Sequence, residues 1–352
     1  EVPCPRHEAR EDRCGGCPLM ALEEPAQRAQ KRAMLAALGL EVDDVVAGPA
    51  LGYRASSKRV AFARGGRLHL GSWARGSHEG ADMTGCLVDH PRITAAADEL
   101  AEAANALGVA PYDERRGDGD LRYAWLKTDG ERVLLTLITS STRSLAPRLA
   151  ERLRRPDGVA WSVQPSTGNA IRGGAPAVLR GPAELTVEGR RVGPLGFSQP
   201  HPAMIARAYR DLCTGPDGRP LRGARAWDLY AGSGAITARL RETFAAVEPC
   251  ERYPESAAAL GVAPRSVDAF LDARPAPPDL VVANPPRKGL GRVAARLAAV
   301  AAPRLHLMSC GPEGLARDLR ALREGGWALE DLRAYDTLPQ TPHVELVAKL
   351  TR

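Results

Sequence analysis

From about residue 200 onward, short strand-like runs alternate with helical patterns, a rhythm that few folds other than a doubly wound parallel sheet accommodate. Helical 202–212 precedes Ala226-Trp-Asp-Leu-Tyr230, a glycine turn and helical 236–242. Strand-like Ala245-Ala-Val-Glu248, helical 254–260, strand-like Asp279-Leu-Val-Val-Ala283 and helical 292–300 follow. A further apolar run, Arg304-Leu-His-Leu-Met308, leads to Cys310 and another helical pattern. The runs 327–335 and 344–350 have no helix between them and should pair as antiparallel strands at one edge.

The first half follows a different pattern. A helix is expected over 24–38 and hairpins around Gly65-Gly66 and Asp129-Gly130. Helical pattern returns at 93–107, and short β-type runs broken by Gly and Pro fill 158–192. This reads as an α+β region with a mostly antiparallel sheet. The expected division is a Cys-rich segment with the first part of a central domain over 1–90, the remainder of that domain over 91–195, and an α/β domain over 196–352.

A chain of 352 residues suits two domains. No apolar run approaches the ~18–20 residues needed to cross a bilayer, and the charged, Cys-bearing start is not a signal peptide. A cytoplasmic monomer is expected. The net charge of +6 suits a polyanionic partner such as RNA. Seven Cys without a secretory signal favour metal binding or catalysis over a disulfide framework.

Asp228-Leu-Tyr-Ala-Gly-Ser-Gly-Ala235 places glycines between a strand and a helix, where backbone can approach a ligand and free amides await it. It is not Gly-x-Gly-x-x-Gly, which favours an adenosine ligand other than a dinucleotide. Glu251, after the next strand, is placed for ribose hydroxyls, and Asp268, after a third strand region, for the adenine amine. This acidic set resembles the S-adenosylmethionine site of Rossmann-like methyltransferases; a strand–helix turn with surface acids is the plain alternative. Asn284-Pro-Pro-Arg-Lys-Gly289 ends a strand with a stiff exit. Asn-Pro-Pro resembles the clamp of amino-group methyltransferases, but Arg287 stands where those place an aromatic residue.

Cys310 falls at a strand's carboxyl end, where open α/β sheets present ligands. A lone thiol is by default a packing residue. Here Gly311-Pro312 and a following helix put the sulfur near a helix N-terminus, which is expected to lower its pKa. Glu345 opens an otherwise apolar strand and can face inward as a base. One reaction uses all these parts. Thiolate addition at carbon 6 of uracil makes carbon 5 nucleophilic, carbon 5 takes a methyl group, and a carboxylate removes the carbon-5 proton.

The ordered set Asp228-Leu-Tyr-Ala-Gly-Ser-Gly, Asn284-Pro-Pro-Arg-Lys-Gly, Ser309-Cys-Gly-Pro-(x)3-Ala-Arg-Asp-Leu and Pro339-Gln-Thr-Pro-His-Val-Glu resembles the RNA (uracil-5-)-methyltransferase family over essentially the whole chain. The resemblance implies Cys310 as nucleophile, Glu345 as general base and Arg287 beside the substrate. It implies a Rossmann-like S-adenosylmethionine domain at the carboxyl end. Its methyl-donor contacts map to Gln199, Tyr230, Ala235, Glu251 and Asn284, joined by Gly232, Gly234 and Asp268 from the residue reading. Many members carry Asp in place of Asn284. The Asn-Pro-Pro-Arg form is similar to the branch acting on 23S ribosomal RNA, with transfer RNA the alternative substrate. A family Asn two residues after Gln199 is His201 here.

Cys4-(x)9-Cys14-Gly-Gly-Cys17 with Cys86 resembles the family's [4Fe-4S] ligand set, thiolates being the ligands of such a cluster. Four Cys also suit tetrahedral zinc. Cys213 and Cys250 match nothing and are expected to pack. Arg54, Lys58 and Arg59 are candidate RNA contacts, with a solvated basic face as the alternative. The rival functions are an amino-group methyltransferase and a non-catalytic, cluster-bearing RNA-binding protein.

Overall fold

The computed structural model describes residues 3–7, 14–74, 76–77, 79–168, 170–273 and 275–352. The chain forms two compact units, neither continuous in sequence. One comprises Glu1–Glu23, Pro49–Pro202 and Leu338–Thr341; the other Glu24–Gly48, Ala203–Thr337 and Pro342–Arg352. This differs from a division at 90 and 195. The reason lies in two early elements, α1 (Glu24–Ala36) and β1 (Val45–Val46). Val45 and Val46 pair in parallel with Ala334 and Tyr335. Lys31 of α1, buried, donates to Asp336 at 2.6 Å across 305 residues of sequence.

The first unit contains β2 (Ser56–Arg64), β3 (Arg67–Trp73), β4 (Gly80–Asp82), α2 (Pro91–Leu107), β5 (Leu121–Thr128), β6 (Val133–Thr139), α3 (Ala146–Arg152), β7 (Gly158–Val163), β8 (Ala177–Arg180), β9 (Leu185–Val187) and β10 (Arg190–Val192). Both expected hairpins form, as β2–β3 and β5–β6. The seven-stranded sheet runs β4-β3-β2-β5-β6-β7-β8 and is antiparallel except for β6–β7. There the chain crosses over through α3, as a parallel step requires. One sheet face packs Ala61, Leu126, Leu135 and Leu137 beneath Ile93, Leu100 and Leu149 of α2 and α3. The helix α2 starts at Pro91 behind His90 and stops at Gly108, whose φ of 68° is left-handed.

The second unit continues with α4 (Pro202–Leu212), β11 (Gly223–Leu229), α5 (Ala235–Leu240), β12 (Phe244–Cys250), α6 (Pro254–Leu260), α7 (Val267–Asp272), β13 (Leu280–Ala283), α8 (Val293–Ala298), β14 (Arg304–Ser309), α9 (Pro312–Glu324), β15 (Ala328–Tyr335) and β16 (Glu345–Thr351). Its sheet runs β1-β15-β16-β14-β13-β11-β12, with β11 to β14 mutually parallel. The strand β16 inserts antiparallel between β14 and β15, so the two last runs pair as expected. The two residues of β1 form the outer edge.

Both faces of this sheet are covered, which explains its unbroken apolar strands. Within β13, Val281 packs into one core with Phe270, Leu305 and Leu319, and its neighbour Val282 into another with Leu212, Ile236 and Met308. The buried Lys349 is paired: it donates to Asp211 at 2.6 Å. Among the described residues no helix is long and apolar enough to cross a membrane.

Candidate active site

The strands β12 and β13 flank β11 on opposite sides, so the chain reverses direction across the sheet beside β11. Such a switch point opens a crevice at the carboxyl ends of the strands. A cleft of about 420 Å³ lies there, lined by Tyr230 and Gly232 after β11, Glu251 after β12, and Asn284 and Pro285 after β13. Asp268 lines it as well.

The turn after β11 depends on its glycines. Tyr230, Gly232 and Gly234 all have left-handed φ, of 61°, 53° and 83°. A Cβ at Gly232 would meet nothing within 4 Å, whereas one at Gly234 would stand 2.5 Å from Leu260 Cδ2. Gly232 therefore leaves open space beside the cleft, and Gly234 permits close packing against α6. The Glu251 carboxylate holds this turn: Oε2 accepts from Gly232 N–H at 2.9 Å and Oε1 from Tyr253 N–H at 2.7 Å. Asp228, fully buried, accepts from the Thr237 hydroxyl at 2.5 Å, and burial pushes its carboxyl up to about 7. Thr237 was not singled out in the sequence, because a lone Thr inside a helical pattern carries no signal.

Four of the expected methyl-donor residues sit differently. Gly234 and Ala235 do not line the cleft. Gln199 belongs to the first unit. Asp268 follows no third strand: it lies in the first turn of α7, with its oxygens on Arg292 at 2.7 Å and Arg296 at 3.0 Å. Of the two unassigned cysteines, both are buried, and Cys250 also lines the cleft.

Cys310 follows β14 and stands just before α9, in the expected place. Its thiol meets two groups from other segments of the unit. The Arg287 guanidinium is within hydrogen-bonding reach, and the Glu345 carboxyl, opening β16, acts on it electrostatically. The expected lowering of the thiol pKa is not what the surroundings produce. Burial, and then the Glu345 charge, push the Cys310 thiol up, while Arg287 pulls the other way. Desolvation disfavours the thiolate more than the nearby cation favours it. Burial also pushes Glu345 up to about 8, with Arg287 opposing. His343, two residues before Glu345, is held below the ordinary imidazole range by burial and by Arg287 and Lys31.

Asp318 is a residue whose part the sequence did not reveal, although it lies within the quoted Ala-Arg-Asp-Leu run. Its carboxylate accepts from Leu290 N–H at 2.6 Å and Gly291 N–H at 3.2 Å. It thereby ties the loop carrying Arg287 to the helix that follows Cys310. An Asp among Leu315, Leu319 and Leu322 on a helix was the available signal.

In the first unit, Cys4, Cys17 and Cys86 pack together around Met20, Tyr53 and Val88. Cys14 joins them electrostatically. All four are free thiols. Gly16 N–H points at the Cys14 sulfur at 3.4 Å, and the Val88 and Asp89 amides at that of Cys86. Among the described residues, no group of three or more His, Cys, Asp or Glu is arranged to hold a metal ion. His201 is buried and stacks on Tyr53, ring centroids 4.8 Å apart.

Of the three basic candidates for RNA contact, Arg59 is corrected. It is 1% exposed and donates to Asp89 at 2.9 Å, because it neutralises a buried carboxylate inside the unit. Arg54 lies 3.7 Å from the same carboxylate. Lys58 is exposed, its ammonium 4.3 Å above the Trp125 ring.

The fold and its cleft define a Rossmann-like methyltransferase. Known proteins agree with that class. A Pyrococcus abyssi tRNA (uracil-54, C5)-methyltransferase, solved with S-adenosyl-L-homocysteine, matches 96% of this chain and 86% of its own at a TM-score of 0.76 and 23% identity. No family model matches the chain. An uncharacterized RNA methyltransferase of Geobacter sulfurreducens is 30% identical over 382 residues, spanning 96% of this chain and 75% of its own. One of Halalkalibacterium halodurans is 28% identical over 392 residues, spanning 99% and 83%. The chain belongs to this family of RNA methyltransferases.

Proposed function

We propose that the protein transfers a methyl group from S-adenosylmethionine to carbon 5 of a uridine in 23S ribosomal RNA. The observation that carries this reading is the meeting of Cys310, Arg287 and Glu345 in one unit that also holds the cleft at the switch point. S-adenosylmethionine supplies an electrophilic methyl group. The cleft suits its adenosine half: Glu251 retains lone pairs for ribose hydroxyls, Gly232 leaves room for close approach, and Tyr230 and Asn284 complete the walls.

Cys310 must first give up its proton to solvent; burial and Glu345 oppose that loss, and the neighbouring Arg287 favours it. The thiolate then adds to carbon 6 of the uracil, and the electron pair of the 5,6 double bond moves onto carbon 5 and the 4-oxygen. Arg287 stabilises that developing negative charge. Carbon 5 forms its new bond to the methyl group as the methyl–sulfur bond of the donor breaks and its electron pair stays on that sulfur. The Glu345 carboxylate removes the carbon-5 proton, the double bond re-forms and the carbon–sulfur bond breaks, restoring Cys310. Because the target base must leave its stack, the substrate site is a loop or a flipped nucleotide.

Cys4, Cys14, Cys17 and Cys86 are proposed to hold a [4Fe-4S] cluster in the first unit. Four neighbouring thiols, with backbone amides directed at two of the sulfurs, support it. The methyl transfer needs no electrons from it, so the four ligands would serve to staple the unit.

Incubation with 5-fluorouridine-substituted ribosomal and transfer RNA tests the mechanism, since fluorine blocks the last proton removal. A stable Cys310–RNA adduct is expected with ribosomal RNA. Methylation of uridine without any adduct would overturn the mechanism, and trapping of transfer RNA alone would replace the substrate. Full activity of Cys310→Ala would instead favour amino-group methylation at Asn284-Pro-Pro.

A further inference from the structure

In the first unit's sheet one face is closed by α2 and α3. The opposite face carries a cleft of about 690 Å³ whose walls are unusually aromatic. The whole chain has sixteen Phe, Tyr and Trp, and four of them line this cleft: Phe62, Trp73, Tyr112 and Tyr123. Tyr123 is buried in a small core with Val60, Trp125 and Ile138, against which Phe62 packs. Trp73 and Tyr112 lie outside that core and leave flat surface for a ligand.

The rings are held in place. A Cβ at Gly80 would stand 2.2 Å from Phe62 Cγ, so the ring lies directly against the β4 backbone. The Arg122 guanidinium lies 4.2 Å above Tyr112 and is itself fixed by the carbonyls of Gln164 at 2.8 Å and Gly168 at 2.9 Å. Arg64 sits 5.4 Å from the Phe62 ring. Trp73 is 36% exposed.

Charge completes the pattern. Arg64, Arg115 and Arg116 border the cleft, and β2 also presents Lys58 to the same face, by strand alternation from Phe62. Among the described residues the Arg115 side chain makes no hydrogen bond. Two of the three carboxylates at the cleft are already engaged: Asp113 accepts from Arg115 N–H at 2.9 Å, and Glu114 from the Tyr123 hydroxyl at 3.2 Å. Flat rings with arginines alongside are how sequence-tolerant single-stranded nucleic-acid sites are built.

We propose that this cleft binds a single-stranded segment of the RNA substrate, stacking unpaired bases on Trp73 and Tyr112 and placing Arg64 and Arg115 against its phosphates. The proposal rests on the chain's being an RNA methyltransferase, not on which atom receives the methyl group.

The test is equilibrium binding of the full chain to a short fluorescein-labelled single-stranded RNA and to a duplex of equal length. Trp73→Ala and Tyr112→Leu should each weaken single-strand binding about ten-fold, within the range for loss of one stacked base, while the salt dependence stays as in wild type. Arg115→Gln should weaken binding and lower the salt slope by about one. Photocrosslinking with 4-thiouridine RNA should mark residues of β2, β3 or the 110–116 loop. Unchanged single-strand affinity in both aromatic variants, with wild-type melting temperatures, would overturn the proposal. So would crosslinks confined to other segments, or duplex binding with the same dependence on Trp73. Methyl incorporation measured on the same preparations separates the two readings. Methylation by wild type without any role for the aromatic residues rejects the cleft alone; aromatic-dependent binding without uridine methylation rejects the uracil reading alone.

Discussion

The backbone of Gly311 lies so close to Arg287 that a Cβ at 311 would stand 2.2 Å from the Arg287 carbonyl oxygen. Neither residue can shift without the other, and both adjoin the Cys310 thiol. Gly311→Ala should therefore displace the Arg287 loop. Overpacking of this kind costs about 1–3 kcal/mol, so the variant should fold with a lowered melting temperature. Methyl transfer should fall more steeply than RNA binding, which a comparison of kcat with Kd would show.

Asp318 secures the same loop from the helix side. Asp318→Ala leaves the Leu290 and Gly291 amides without their acceptor, at a cost of about 1–3 kcal/mol for buried donors. Denaturant unfolding should show that loss. Asp318→Asn, which keeps one acceptor oxygen, should recover part of both stability and activity.

Glu345→Gln should stop the reaction after methyl transfer. The methylated adduct would have no carboxylate to take its carbon-5 proton, and removal of a positioned base typically costs 10²–10⁴-fold. Ordinary uridine RNA should then remain bound through Cys310 on denaturing gels, as the fluorinated RNA does with wild type. Rapid turnover by this variant without an adduct would assign the base elsewhere.

The Glu345 carboxyl also has a stability signature. It rises from an ordinary 4.5 to about 8 in the folded chain. Between those values the unfolded chain has released a proton that the folded chain still holds, so this group lowers stability as pH rises through that window and adds no further loss above about 8. The melting temperature of Glu345→Gln should match wild type near pH 4 and exceed it increasingly up to pH 8. Methyl transfer by wild type should climb over the upper part of the same range, as the carboxylate form appears.

Iron and sulfide analysis checks the cysteine patch. About four iron atoms per chain are expected for a [4Fe-4S] cluster, with the characteristic absorbance lost in Cys17→Ser. Stoichiometric zinc would replace the cluster by a tetrahedral ion site.

Much of the architecture was legible because its signals are local. Alternating apolar runs marked β11 to β14, and Gly65-Gly66 and Asp129-Gly130 marked the two hairpins. Cys310 and Glu345 stood out because a thiol after one strand and an acid opening another are chemically conspicuous. The division into units was less legible. Nothing about Val45 and Val46 says that their partner is Ala334 and Tyr335, since parallel pairing over that distance leaves no local trace. The charge state of Cys310 was misjudged for a similar reason: the helix that follows is visible in sequence, but the burial and the Glu345 carboxyl that oppose it come from elsewhere. Arg59 reads as one more surface cation until Asp89 is found beside it.

The two-residue strand β1 has a consequence for the order of synthesis. It is made early, yet the strand it closes is among the last to leave the ribosome, so α1 and β1 wait through most of translation without their partners. Until they dock, β15 has an unpaired edge of the kind that seeds association between chains. A fragment beginning at Ala203 would hold every strand of the parallel core and still expose that edge permanently. The second unit should thus behave poorly as an isolated fragment and recover when residues 24–48 are supplied in trans.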